Sequence, residues 1–161
     1  MQRSTLVYLT TLSALLAACG GGKPDAAPAA SAPAGAAQSD LTPFQLENGI
    51  GPITSPVELP AAVDHEKAEE GKKTFEGKCM ACHKMTERYV GPALGGVVGR
   101  RTPAYVMNMI LNPEEMYTKH PVARQLLAEH MTQMPNLGLT QEEARDVVEY
   151  LRTQSSATAG S

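Results

Sequence analysis

Cys79-Met80-Ala81-Cys82-His83 decides how this 161-residue chain must fold. Two thiols three positions apart lie on one turn of helix, and an imidazole follows at once. That spacing matches the two vinyl groups along one edge of a porphyrin. The thiols of Cys79 and Cys82 can add to them, and His83 then sits beneath the iron as its proximal ligand. Two other readings of a Cys-x-x-Cys pair are weaker. A redox dithiol wants a strand–turn–helix setting, and no strand pattern precedes Cys79. A structural zinc wants four ligands, and the one other cysteine, Cys19, lies 60 residues upstream. Neither alternative explains the adjoining histidine. The five residues predict one covalent haem c.

Such a haem is attached outside the cytoplasm, and the start of the chain agrees. Arg3 gives a positive n-region, Leu6 to Ala18 form a short apolar stretch, and residues 1–18 read as a signal peptide too short for an ordinary membrane span. Leu16-Ala17-Ala18-Cys19 resembles the bacterial lipobox, which would make Cys19 the lipidated first residue of the mature protein. Cleavage near Ala17 or Ala18, leaving a spare thiol, is the plainer alternative. The rest of segment 19–40 is rich in Ala, Gly and Pro, and is expected to be a disordered tether with a reach of about 25 Å. Together these features place the protein in the cell envelope, on the periplasmic side, anchored to a membrane by lipid. Residues 41–60 hold Phe44, Ile50 and Ile53 among four prolines. Too proline-rich for a helix, they are expected to run extended over the domain surface or to continue the linker. Residues 154–161 read as a polar tail.

The remaining domain, 61–153, is patterned for helices throughout. Asp64 can cap a helix with Ala68, Gly71, Lys72 and Phe75 on one stripe. Thr102-Pro103, Asn112-Pro113 and His120-Pro121 are three start signals with proline at the first helical position. After the first of them, Val106, Met109 and Ile110 are expected to face inward. Thr140-Gln141-Glu142-Glu143 is a capping box, and Ala144, Val147, Val148 and Leu151 follow at helical spacing. The expectation is an all-α fold of four or five short helices wrapped around the haem. With two Phe and no Trp in the whole chain, the haem supplies apolar mass that the sequence lacks.

Over residues 61–153 this arrangement resembles a class I cytochrome c. The features carrying the resemblance come in order: Gly71 and Phe75 before Cys-x-x-Cys-His, then Gly91-Pro92-Ala93-Leu94-Gly95-Gly96, then Met134-Pro135 just before a last helix with Tyr150 and Leu151. The resemblance implies that the first and last helices cross with Gly71 against Tyr150. It also implies that the Pro92 carbonyl orients His83, and that Met134, 51 residues after His83, is the iron's second axial ligand. Met131 is the next candidate. His120 or His130 could make a bis-imidazole haem, although both sit in polar contexts that suit a solvated surface. Met80 and Met85 lie too near His83 to reach the opposite haem face, and Met107 and Met109 fit a helical core.

With both axial positions filled by protein, the expected function is single-electron transfer rather than catalysis. A haem subunit of a larger complex, or a sensor or enzyme with an open sixth site, are the alternatives. The net charge of −3 gives no reason to expect nucleic acid, and a monomer is expected. Residues 72–88 carry +3, a basic collar beside the haem motif suited to an acidic redox partner, while 102–153 carry −3. The extension from Phe44 to Pro60 joined to this domain is similar to lipoprotein cytochromes linked to nitrous oxide reduction. That implies a terminal reductase such as nitrous oxide reductase among the partners.

Overall fold

A computed structural model of the chain describes residues 40–154. The signal peptide, Cys19 and nearly all of the tether fall outside those residues, as does the tail after Gln154. The described part contains seven helices and no strand. They are α1 (Pro43–Asn48), α2 (His65–Lys78), α3 (Val97–Arg100), α4 (Pro103–Leu111), α5 (Pro113–Lys119), α6 (Pro121–His130) and α7 (Gln141–Thr153). Five of them begin at the sequence signals. The additions to the expected four or five are the short α1 and α3.

Local chemistry starts these helices. Asp64 Oδ1 accepts from the Lys67 amide at 3.1 Å, Thr102 Oγ1 accepts from Tyr105, and Thr140 and Glu143 form a reciprocal capping box. In α7 the buried residues are Ala144, Val147, Val148, Leu151 and, unexpectedly, Glu149. The three large aliphatics each contribute about 1.5–3 kcal/mol when fully removed from water. Glu149 is tolerable there because Arg145 and Arg152 each bond one of its oxygens at 2.6 Å.

Helices α2 and α7 form the main crossing, and Gly71 makes it possible. A Cβ on Gly71 would overlap the Asp146 carbonyl and crowd the Val147 amide. The contact therefore falls one turn earlier than the expected Tyr150, whose ring lies against Phe75 with centroids 5.3 Å apart. Lys72 does not belong to the buried stripe either. It is exposed, since Ala68, Gly71 and Phe75 already fill the face that meets α7.

Residues 41–60 depart most from expectation. They neither run extended throughout nor lie loosely on the surface. Thr42 and Gln45 form a capping box around Pro43 at the first helical position, which nucleates α1. The chain then inserts Ile50 and Ile53 into the core. The fully buried Asn108 of α4 holds this strap: its Nδ2 donates to the Asn48 and Ile53 carbonyls at 2.9 Å, and its Oδ1 accepts from Ile53 N–H at 3.0 Å. The Ile50 amide donates to Met116 Sδ at 3.1 Å, and Asn112 Nδ2 donates to the Ile50 carbonyl. Past the strap, the Arg152 guanidinium donates to the carbonyls of Pro60, Ala61 and Ala62. The packed body thus begins well before residue 61. No described helix is long and apolar enough to cross a membrane.

Candidate functional site

Cys79 ends α2, and the chain turns tightly from there. The Cys82 and His83 amides both donate to the Cys79 carbonyl, at 3.0 and 2.9 Å. Neither thiol is in a disulfide; Cys79 is buried and Cys82 exposed. Burial pushes the Cys79 thiol up from its ordinary pKa, although Lys78 opposes the rise. That is the reverse of the depressed thiol that a redox dithiol exploits. Among the described residues no cluster of three or more His, Cys, Asp and Glu could hold a bare metal ion, which sets the zinc reading aside there.

The loop after the motif holds the imidazole. Gly91 N–H donates to the Cys82 carbonyl at 2.9 Å, and Leu94 and Gly95 N–H donate back to Lys84 and Met85. Gly91 then lies flat against the ring, where an added Cβ would stand 2.5 Å from His83 Cε1 and 2.9 Å from Nδ1. His83 Nδ1 is 3.0 Å from the Pro92 carbonyl oxygen. A carbonyl only accepts, so Nδ1 carries the proton and Nε2 keeps its lone pair. Burial lowers the His83 pKa, against the opposing effect of the Pro92 bond, with His130 adding to the fall. The imidazole is thereby held neutral, the form that binds metal.

His83 opens onto a cavity of about 400 Å³, lined mainly by apolar side chains from α2, α4 and the loop 132–137. Cys79, Cys82, Pro92 and Met134 all line it. Met131 does not take part: it caps α6 in a left-handed conformation with φ of 54° and is 88% exposed. The two histidines also differ from expectation. His120 is fully buried behind the cavity wall, its Nε2 3.2 Å from the Leu46 carbonyl and its ring edge-on to Tyr105. His130 lines the cavity with a side chain only 5% exposed. Neither is a surface residue: α1 bonds His120 through the Leu46 carbonyl, and the His130 side chain turns into the cavity. Met109, expected in the core, also faces this space.

The cavity fits a flat apolar ring with a polar edge. Two of its lining residues carry buried polar atoms with no protein partner, Tyr105 Oη and His130 Nδ1. Nothing in the sequence flagged Tyr105 or Tyr117, since a tyrosine at helical spacing reads as core. An all-helical shell around this cavity, with Cys-x-x-Cys-His at its mouth, defines a protein built to enclose one covalently attached haem.

Known proteins agree. A cytochrome c family profile matches residues 68–155. The structure is similar to a cytochrome c from Rhodothermus marinus at 41% identity and TM-score 0.67, covering 72% of this chain and 99% of that one. An engineered form of that cytochrome, bound to a carbene intermediate, aligns at 42% identity and TM-score 0.64, covering 71% of this chain and 99% of its own. Cytochrome c2 of Rhodopseudomonas palustris is 50% identical over 36 residues, 22% of this chain, and the match spans 31% of that relative. A second cytochrome c2 of that species is 50% identical over 36 residues, spanning 25% of its length. The chain belongs to the cytochrome c family, with the class I fold and one haem c attached through Cys79 and Cys82.

Proposed function

We propose that this cytochrome c is a single-electron carrier of the cell envelope, with His83 and Met134 as the axial ligands of its haem. The observation that carries the reading is that His83 and Met134 line one cavity with both attachment cysteines. Haem supplies the one-electron iron chemistry. The chain's part is to fill both axial positions and to keep water out. A neutral imidazole with Nδ1 bonded to Pro92 and a soft thioether together favour the reduced metal and raise its potential. With both positions taken, no substrate can reach the metal, which is why the proposal is a carrier and not an enzyme.

The surface near the motif supports docking on a redox protein. Met80, Tyr89 and Val90 are exposed apolar residues there, and Lys84 Nζ lies 5.1 Å from the centre of the Tyr89 ring. Lys78, Arg100 and Arg101 line the cavity mouth, while Lys73 is engaged with Glu70 at 2.6 Å. An apolar centre with a cationic rim suits an acidic partner and predicts rates that fall with salt. Cys19, by the lipobox resemblance, anchors the protein to a membrane on the periplasmic side. Nitrous oxide reductase is the acceptor to assay first, on the resemblance of the extension from Phe44 to Pro60.

Met134→Ala tests the assignment. Oxidised wild-type protein should show the weak long-wavelength sulfur-to-iron charge-transfer band, and the variant should lose it, drop in potential and bind carbon monoxide when reduced. A wild type without the band that binds carbon monoxide readily is a sensor or enzyme, and the carrier reading is then wrong. For the anchor, Cys19→Ser should move the protein to a soluble fraction with its spectrum intact, and an unmodified Cys19 by intact mass would refute it.

A further inference from the structure

We infer that Tyr117 is the residue that positions Met134, its phenol oxygen holding the ligand's own backbone and thereby setting how readily the sixth position opens. The inference rests on the assignment of Met134 as axial ligand. Residues 131–140 contain no helix, so the segment bearing Met134 has none of the repeating hydrogen bonds that fix an element in place. Leu139 is buried in the main core and Leu137 packs on it, but hydrogen bonds from the segment to the body are few among the described residues. Asn136 Nδ2 donates to the Leu111 carbonyl at 3.2 Å, and the exposed Lys78 reaches the Leu137 carbonyl at 3.5 Å. At Met134 itself the amide donates to Tyr117 Oη at 2.8 Å. That bond is short and partly buried, with Tyr117 9% exposed and Met134 half-buried.

Tyr117 can serve as a fixed point because its own surroundings are closed. It sits on α5 in a cluster with Ile50, Tyr105, Met116 and Ala123, against which Met134 packs. The phenol oxygen has lone pairs free to accept, and the Met134 amide is the donor that reaches it. Tyr105 offers an internal comparison. It belongs to the same cluster and lines the same cavity, but its hydroxyl has no partner in the protein. Two buried tyrosines thus stand side by side in the cluster, and only one grips the ligand segment.

The test uses the haem-loaded protein. Binding of added imidazole to the oxidised form requires Met134 to leave the metal, so its rate reads the opening of that position. Tyr117→Phe keeps the ring and removes the tether, and should speed imidazole binding about tenfold, the effect of losing one buried hydrogen bond. It should also weaken the sulfur-to-iron band at temperatures where the wild type retains it. Tyr105→Phe should leave the imidazole rate within twofold of wild type. A Tyr117→Phe rate within twofold of wild type overturns the inference, and so does equal acceleration by both variants. Should Tyr117→Phe fail to load haem, amide exchange in reduced wild-type protein decides instead. The Met134 N–H should exchange at least tenfold more slowly than the amides of the exposed Thr132 and Gln133, and equal rates overturn the tether. Failure of the ligand assignment looks different: the band is then absent from wild type, and Met134→Ala leaves the imidazole rate unchanged.

Discussion

Gly91 owes its identity to a neighbouring imidazole. Any Cβ there would enter the His83 ring, so the position is small because the ring lies flat on the backbone. Gly91→Ala should turn the ring, lengthen the bond to Pro92 and cost about 1–3 kcal/mol as overpacking. Denaturant unfolding of the oxidised protein measures the cost, and its electron paramagnetic resonance should show shifted g-values. Unchanged g-values would mean that the ring never moved. His120 is a second buried imidazole whose neighbours dictate its charge state. Burial lowers its pKa, against the opposing bond to the Leu46 carbonyl. A histidine with a depressed folded pKa leaves the unfolded chain binding more protons, so its stability contribution is complete above about pH 6.5 and fades as pH falls below it. Across that window stability should drop by at most about 1.4 kcal/mol per pH unit on account of this residue. The slope should flatten in His120→Gln, read from unfolding midpoints at several pH values; an identical slope would place the titration elsewhere. The sequence made Cys79, Cys82 and His83 legible because their chemistry lies in their spacing. It hid His120 and His130 because the docking of α1 on one and the cavity that takes in the other are matters of tertiary packing, and the polar residues flanking them say nothing of it.

Helix starts were the most readable feature of the chain. Asp64, Thr102-Pro103, Asn112-Pro113, His120-Pro121 and the Thr140 box all act locally, through a side-chain acceptor or a fixed φ, so each works wherever the helix is later packed. The same grammar stands at Thr42-Pro43-Phe44-Gln45, where the density of prolines further on obscured it. What could not be read was the reason α1 stays docked. Its anchor is Asn108, 60 positions from Asn48 and in a helix whose neighbouring side chains are apolar. Asn108→Ala would leave two carbonyls and one amide of the strap without partners inside a closed core. The expected loss is about 2–4 kcal/mol, combining unmet buried polar groups with a small cavity. Equilibrium denaturation of the haem-loaded variant checks this, and a loss under about 1 kcal/mol would show that water replaces the amide.

The strap joins the N-terminal part of the body to the side of the haem cavity that bears Met134. Leu41 and Ile50 belong to or pack on the cluster containing Tyr117, and Met134 packs against that cluster as well as the main core. Ile50 further bonds Met116, the residue just before Tyr117, while Leu46 bonds His120 just after α5. Removing the strap would therefore strip the Met116 bond from the helix that tethers the ligand segment and the His120 bond from its C-terminal cap. Two truncations separate this role from that of the preceding residues. A chain starting at residue 40, still carrying covalent haem, keeps every strap contact and should retain wild-type stability and its sulfur-to-iron band. A chain starting at residue 61 loses Ile50 and Ile53 from the core, each worth about 1.5–3 kcal/mol, together with the Asn108 and Met116 bonds. Its stability should fall by about 5–10 kcal/mol, comparable to the total for a domain of this size. Its band should fade at room temperature while the haem remains attached, because thioether bonds to Cys79 and Cys82 are covalent and do not depend on the strap. Equal unfolding midpoints for the two truncations would show that α4 and α5 hold Tyr117 without the strap, and that the domain does begin at residue 61.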